Sequence, residues 1–311
     1  MRKLVGSDRV FYYTLLPFGS IVLAVFILLL GVLAWKSVPI LVREGASFFT
    51  KNIWKPSETS PSMEEYGILA PLLDTLYTSL IALVLATPAS LLLALLTAEY
   101  APIRLRGVLE NIVDLMAGVP TVVYGLWGAF VVAPMLREYV MKPLHEHLGF
   151  LPLFSCEPIS GQSVLTAGVV LAVMITPFMT GVIREAYSMI PFSLREALAS
   201  IGATRLEMIR VLLSMMKPAI MAAGLLGLGR AAGETIAVSL TIGNSFSLSP
   251  CMLRPGYTIS SLIANQFPNA GFYYYMTSAL YASGLTLLLM GVLLNLAGLK
   301  LMWSWRERIH G

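Results

Sequence analysis

From Leu15 to Ala34 the chain runs twenty residues without a charged side chain. A helix rises about 1.5 Å per residue, so a run of this length reaches across the roughly 30 Å hydrocarbon core of a bilayer. Comparable apolar stretches recur at about Ile68 to Ala98, Ile112 to Leu136, Val164 to Ile183, Pro218 to Asn244 and Tyr273 to Leu299. With 57% hydrophobic and 12% charged residues, the chain is too apolar for an ordinary soluble fold. The expectation is an all-α integral membrane protein with six transmembrane helices.

Six spans place both ends on one side of the membrane. The two tails, Arg104 with Arg106, and the segment 184–217 hold thirteen lysines and arginines, against seven in the opposite loops. By the positive-inside tendency both termini are cytoplasmic, in a plasma (inner) membrane. The net charge of +4 is thus sorted by membrane side, and no nucleic-acid patch is indicated. Residues 1–67 read as a tail, a first helix and an external loop; 68–304 as the transmembrane core; 305–311 as a cytoplasmic tail. The first helix is expected to be retained, since Ala34-Trp35-Lys36 shows no small-residue cleavage site. Lys36 to Gly67 reads as an exposed loop that includes Glu64 and Glu65, and Asp74 as a boundary residue near the outer end of its span. Pro120, inside the third span, directs that helix toward protein neighbours rather than lipid.

The segment from Leu225 to Leu240 is apolar except for Arg230 and Glu234. A helix starting after Pro218 would carry Arg230 roughly 18 Å along, near the middle of the bilayer core. An arginine at that depth costs roughly 2.5 to 3.5 kcal/mol, so intramembrane charges are usually paired and functional. Glu234, four residues on, would share the helix face. Two readings stand: a structural ion pair locking helices, or an anion pathway in which Arg230 faces the anion and Glu234 orients the guanidinium. Gly229 and Gly233 flank the site as a small-xxx-small pair, suited to close packing or to leaving room for an anion.

Ser193 to Ile209 reads as two short helices around a tight turn at Gly202, with Ser193 and Glu196 at capping-box spacing. It is either a knob for a groove on another protein or a simple amphipathic connector. Cys156 and Cys251 both fall in loops assigned to the outside, where a disulfide can persist; two separate thiols are the alternative. His145-Glu146-His147 is a weak ligand set and no metal is expected there. No Gly-x-x-x-x-Gly-Lys-Ser/Thr loop occurs, so the chain does not hold ATP in that fashion.

Glu196, Ala197 and Gly202 match the Glu-Ala-Ala, three residues, Gly signature of permease subunits of ABC importers, although Leu198 replaces the usual third-position Ala. Ala98-Glu99-Tyr100-Ala101-Pro102, the Val119 to Gly128 run, the Gly227 to Thr235 run and Ile242-Gly243-Asn244 narrow the match. Over about Tyr66 to Leu299 the sequence resembles the PstC-type permease of phosphate-specific ABC importers. The resemblance implies a type I ABC importer permease fold without enzymatic activity of its own and with no cofactor bound by this chain. ATP and Mg would act through a partner ATPase dimer, with 184–217 as the coupling loop and Glu196, Ala197 and Gly202 at the ATPase contact. It further implies a second, PstA-type permease, an external phosphate-binding protein, and phosphate passage beside Arg230 and Glu234. The rivals are a PstA-type subunit or a sulfate or molybdate permease, and, from another class, an ion-coupled secondary transporter. That last class is usually built from repeats with discontinuous helices, and neither is visible in the sequence.

Overall fold

The computed structural model describes residues 6–310, with side chains from Tyr13 to Trp303. Arg2 and Lys3 lie outside the described residues, as do the side chains of Arg9, Arg306 and Arg308. Within these bounds the regular secondary structure is helical except for one two-residue strand pair. Helix α1 (Gly6–Glu44) leads into the short α2 (Ser47–Thr50), and β1 (Trp54–Lys55) pairs antiparallel with β2 (Glu65–Tyr66). Helix α3 (Leu69–Leu95) widens into a π turn at Leu96–Tyr100. Then follow α4 (Ile103–Gly118), α5 (Thr121–Leu148), α6 (Val164–Ser188), α7 (Phe192–Ser200) and α8 (Arg205–Ala232). Short helices α9 (Ile236–Thr241) and α10 (Ile259–Gln266) precede the long α11 (Met276–His310).

Five helices are long and apolar enough to cross a membrane, or six if the bent pair α4 and α5 is one span. The bend measures 89°. Its cause is local: Val119 precedes Pro120, and the proline ring pushes its neighbour out of the helical region, here to φ −65° and ψ 130°. The third span therefore differs from the expected Ile112 to Leu136. Arg104 and Arg106 are already helical, and the following loop begins only after Leu148 rather than at Arg137.

The centre of the bundle is the packing of α3 on α6, where Ala82 and Ala86 meet Leu171, Ile175 and Met179, all buried. A glycine on α6 lets α3 approach closely; a Cβ on Gly168 would sit 2.5 Å from Ile81 Cγ2. Ser90 donates to the Thr176 carbonyl next to Pro177 at 3.1 Å, a cross-link between the two helices at a point where a proline weakens the helical ladder. Helix α11 packs on α8 and on α1. The outward face of α1 keeps Phe18, Val22 and Leu28 exposed, as a lipid-facing helix should.

The stretch expected as an exposed loop, Lys36 to Gly67, continues α1 as far as Glu44 and is ordered beyond it. Glu64 is buried: its carboxylate accepts from the Tyr66 hydroxyl at 2.8 Å and from the backbone N–H groups of Tyr274 and Tyr275 at 3.0 Å each. Arg43 donates to the carbonyls of Pro61, Ser62 and Glu64 and lies over the Tyr275 ring. Asp74 likewise is no boundary residue. It is buried and holds Arg254 from the loop before α10, while Tyr257 N–H donates to it at 3.0 Å. Two polar groups that sequence alone places in water are thus satisfied inside protein, which keeps their burial affordable.

Candidate functional site

Helix α8 starts at Arg205, runs through Pro218, and stops at Ala232. Gly233, Glu234 and Thr235 form a break, after which α9 resumes for one and a half turns. The span is discontinuous, contrary to the expectation of one uninterrupted helix. Lys217 is exposed and is the last charge before Arg230. At 1.5 Å per residue Arg230 lies about 20 Å beyond Lys217 along an apolar helix long enough to cross a membrane.

Arg230 occupies the last turn of α8 and is exposed in this chain. Its guanidinium lies 5.5 Å from the centroid of the Phe178 ring on α6. Among the described residues no carboxylate lies within 4.0 Å of it. Glu234 does not share a helix face with Arg230, because the helix ends between them. Its Oε1 instead accepts from the Ala237 N–H at 3.3 Å, and its carbonyl accepts from the Ser260 hydroxyl at 2.6 Å. Each charge therefore complements a helix end, Arg230 the C-terminus of α8 and Glu234 the N-terminus of α9. Beyond Glu234, the Ser239 hydroxyl donates to Asn265 Oδ1 at 3.2 Å, and Asn244 Nδ2 donates to the Ser239 carbonyl at 2.7 Å. Asn244 and Asn265 are exposed, so a polar strip continues from Arg230 along α9.

Close glycine contacts seat α9. A Cβ on Gly125 would lie 2.9 Å from Ala237 Cα, and one on Gly128 would lie 2.6 Å from Thr241 Cγ2. The Tyr124 to Gly128 run is thus a bed for the resumed helix. Gly229 serves packing as well, since a Cβ there would meet Asn295 Nδ2 of α11 at 2.9 Å. Gly233 ends α8 and is exposed.

At the other end of α8, Glu196 and Ala197 lie exposed on α7, flanked by exposed Phe192 and Ile201. Gly202 turns the chain with φ +77°, a conformation that favours glycine. The capping box is not at Ser193 and Glu196, for α7 starts at Phe192 after Pro191 with no side-chain cap. Thr204 and Glu207 form it: Glu207 Oε2 accepts from Thr204 N–H at 2.8 Å, and Thr204 Oγ1 accepts from Glu207 N–H. The second helix of the pair is not short either; it is the beginning of α8.

Cys156 and Cys251 are joined in a disulfide with Cα atoms 6.1 Å apart, tying the loop after α5 to the loop before α10. His145 Nδ1 lies 2.9 Å from the Phe154 carbonyl oxygen, and no group of three or more possible metal ligands occurs among the described residues. The Asp74 and Arg254 pair escaped sequence reasoning. Its signal was the presence of one lone acid in an otherwise apolar span and one lone base in the 245–272 loop.

Residues 86–301 match the family of binding-protein-dependent transport system inner membrane components. The chain is 46% identical over 309 residues to a probable phosphate transport system permease protein PstC of Methanocaldococcus jannaschii, covering 99% of this chain and 98% of that one. It is 38% identical to the phosphate transport system permease proteins PstC of Xylella fastidiosa, over 86% and 83% of the two chains, and of Haemophilus influenzae, over 80% of each. The chain belongs to the family of binding-protein-dependent transport system inner membrane components, as a PstC-type permease of an ABC importer.

Proposed function

We propose that this chain forms half of a phosphate pathway through the inner membrane, driven by ATP hydrolysed on a partner. One observation carries the reading: a guanidinium lies exposed on an apolar helix about 20 Å beyond the preceding charge, with no carboxylate within 4.0 Å among the described residues. Lipid would make that arrangement expensive, so the exposed face belongs to a second permease subunit and a water-filled passage between the two. A guanidinium fork gives an oxyanion two charge-assisted hydrogen bonds, which suits phosphate. The names of the similar proteins supply the choice of phosphate over sulfate or molybdate.

On this reading the exposed Glu196, Ala197 and Gly202 surface seats in the ATPase dimer, where ATP and Mg are held. A PstA-type permease supplies the other half of the pathway, and an external binding protein delivers phosphate. Residues 184–217 and both termini are then cytoplasmic, and the loops joined by Cys156 and Cys251 face outward. The residues of this chain position the anion and transmit motion; they perform no chemistry. A broken span also occurs in ion-coupled transporters, so the energy source is the deciding test. ATP-dependent uptake of labelled phosphate that persists when ion gradients are collapsed supports the reading. Uptake that follows the gradient after ATP depletion contradicts it.

A further inference from the structure

Glu99 belongs to the Ala98 to Pro102 motif, which the pathway and the ATPase contact leave unused. Its side chain is 12% exposed. Its Oε1 accepts from the Tyr187 hydroxyl at 2.5 Å and from Arg195 Nη1. Three elements meet there: Glu99 from the π turn ending α3, Tyr187 from the last turn of α6, and Arg195 from α7. The Arg195 guanidinium also lies over the Tyr187 ring, 4.6 Å from its centroid.

The turn that carries Glu99 is itself braced. Arg106 of α4 donates to the carbonyls of Thr97, at 2.7 Å, and Ala98. Arg205, the first residue of α8, lies over the Tyr100 ring. Helix α7, by contrast, has no fully buried residue. Leu194 and Leu198 rest on the cluster formed by Ile183, Leu212 and Met216, two apolar contacts one turn apart. The charge-assisted bond from Arg195 to Glu99 adds a polar point of attachment beside them. Arg195 points into the bundle while Glu196, the next residue, is exposed. Arg195 therefore links α7 to α3 at Glu99 and to α6 at Tyr187, the two helices at the centre of the bundle.

We infer that Glu99 is the positioning residue through which the coupling segment moves α3 and α6, with Arg195 and Tyr187 as its two contacts. This rests on the reading of α7 as the ATPase contact. Helix α8 is the competing route, since it continues directly from the Gly202 turn. The route through Glu99 differs in that it can be cut without touching the turn.

The test uses the complete complex, with partner permease, ATPase and binding protein, in proteoliposomes. Phosphate uptake and ATP hydrolysis are measured on the same sample and expressed as phosphate moved per ATP. Glu99→Gln keeps the size and one acceptor oxygen but loses the charge. Its ratio is expected to fall by about tenfold, while ATP hydrolysis stays within about twofold of wild type. Arg195→Lys retains the charge and should recover part of the ratio, and Tyr187→Phe should lower it by less than Glu99→Gln. If Glu99→Gln does not assemble, the Arg195→Lys and Tyr187→Phe ratios decide: a fall in both supports the inference, and wild-type values overturn it. An unchanged ratio in Glu99→Gln overturns it, as does a loss of uptake and hydrolysis in equal proportion. The wild-type complex, run first, tests the phosphate-import reading by itself, so the two failures are distinguishable.

Discussion

Asp74 and Arg254, 180 residues apart in sequence, form a two-pronged ion pair at 2.6 and 3.1 Å inside the protein. The pair anchors the loop before α10 to the N-terminal part of α3. Arg254 also donates to the Ser249 and Pro255 carbonyls, so the guanidinium organises the loop around itself. Removing one partner leaves the other charge buried and uncompensated. Asp74→Ala and Arg254→Ala are each expected to cost about 3–5 kcal/mol, and the double variant less than the sum of the two. Thermal unfolding of the purified complex in detergent checks both statements.

The Cys156 and Cys251 bridge closes a separation of 95 residues around α6, α7, α8 and α9. In the chain-entropy model a loop of that length is worth about 4–5 kcal/mol. Alkylation of both thiols only after reduction is the expected result, together with a lower unfolding temperature for the reduced protein. Two thiols that alkylate without reductant would place the protein outside this account.

Gly128 lies where α5 meets α9, with Thr241 Cγ2 and Val170 Cγ2 on either side of the absent Cβ. Overpacking of this kind typically costs about 1–3 kcal/mol. Gly128→Ala should lower stability by that order and, by pushing α9 off its bed, reduce uptake beyond what the loss of assembled complex explains. Uptake normalised to assembled complex is the quantity to compare.

Tyr66 supplies a pH test outside the membrane. Burial raises its phenol pKa first, and the hydrogen bond and charge of Glu64 raise it further. A group whose folded-state pKa lies above its unfolded value of about 10 leaves stability intact below that pH, and the stability is lost as pH rises above it. The unfolding temperature is expected to fall above about pH 10, and to fall less steeply in Tyr66→Phe. An equal slope in both proteins would assign the alkaline loss elsewhere.

The spans around α3 and α6 were legible because an apolar run of about twenty residues or more has few alternatives to a membrane helix. The break after Ala232 was not. Glycine inside a spanning helix is ordinary, and the Ser260 hydroxyl that meets the Glu234 carbonyl at the break comes from another part of the chain. The same limit hid the buried acids. Glu64 finds its donors at Tyr274 and Tyr275, and Asp74 finds Arg254, across separations that leave no local pattern. The capping box shows a different failure: Ser193 with Glu196 and Thr204 with Glu207 have identical spacing. Pro191 starts α7 before Ser193 can cap it. Tyr124 to Gly128 was legible as a motif, yet its purpose, close approach of α9, required the fold.

Substitution at Arg230 tests most directly whether this side chain faces a phosphate pathway, as proposed. ATP-dependent uptake of labelled phosphate is compared for wild type, Arg230→Lys and Arg230→Ala, each shown to assemble with its ATPase. The account predicts that Arg230→Ala abolishes uptake and that Arg230→Lys, which keeps the charge but loses the fork, is impaired by about tenfold or more. Wild-type uptake in Arg230→Ala would contradict it and leave Arg230 as a cap on the end of α8.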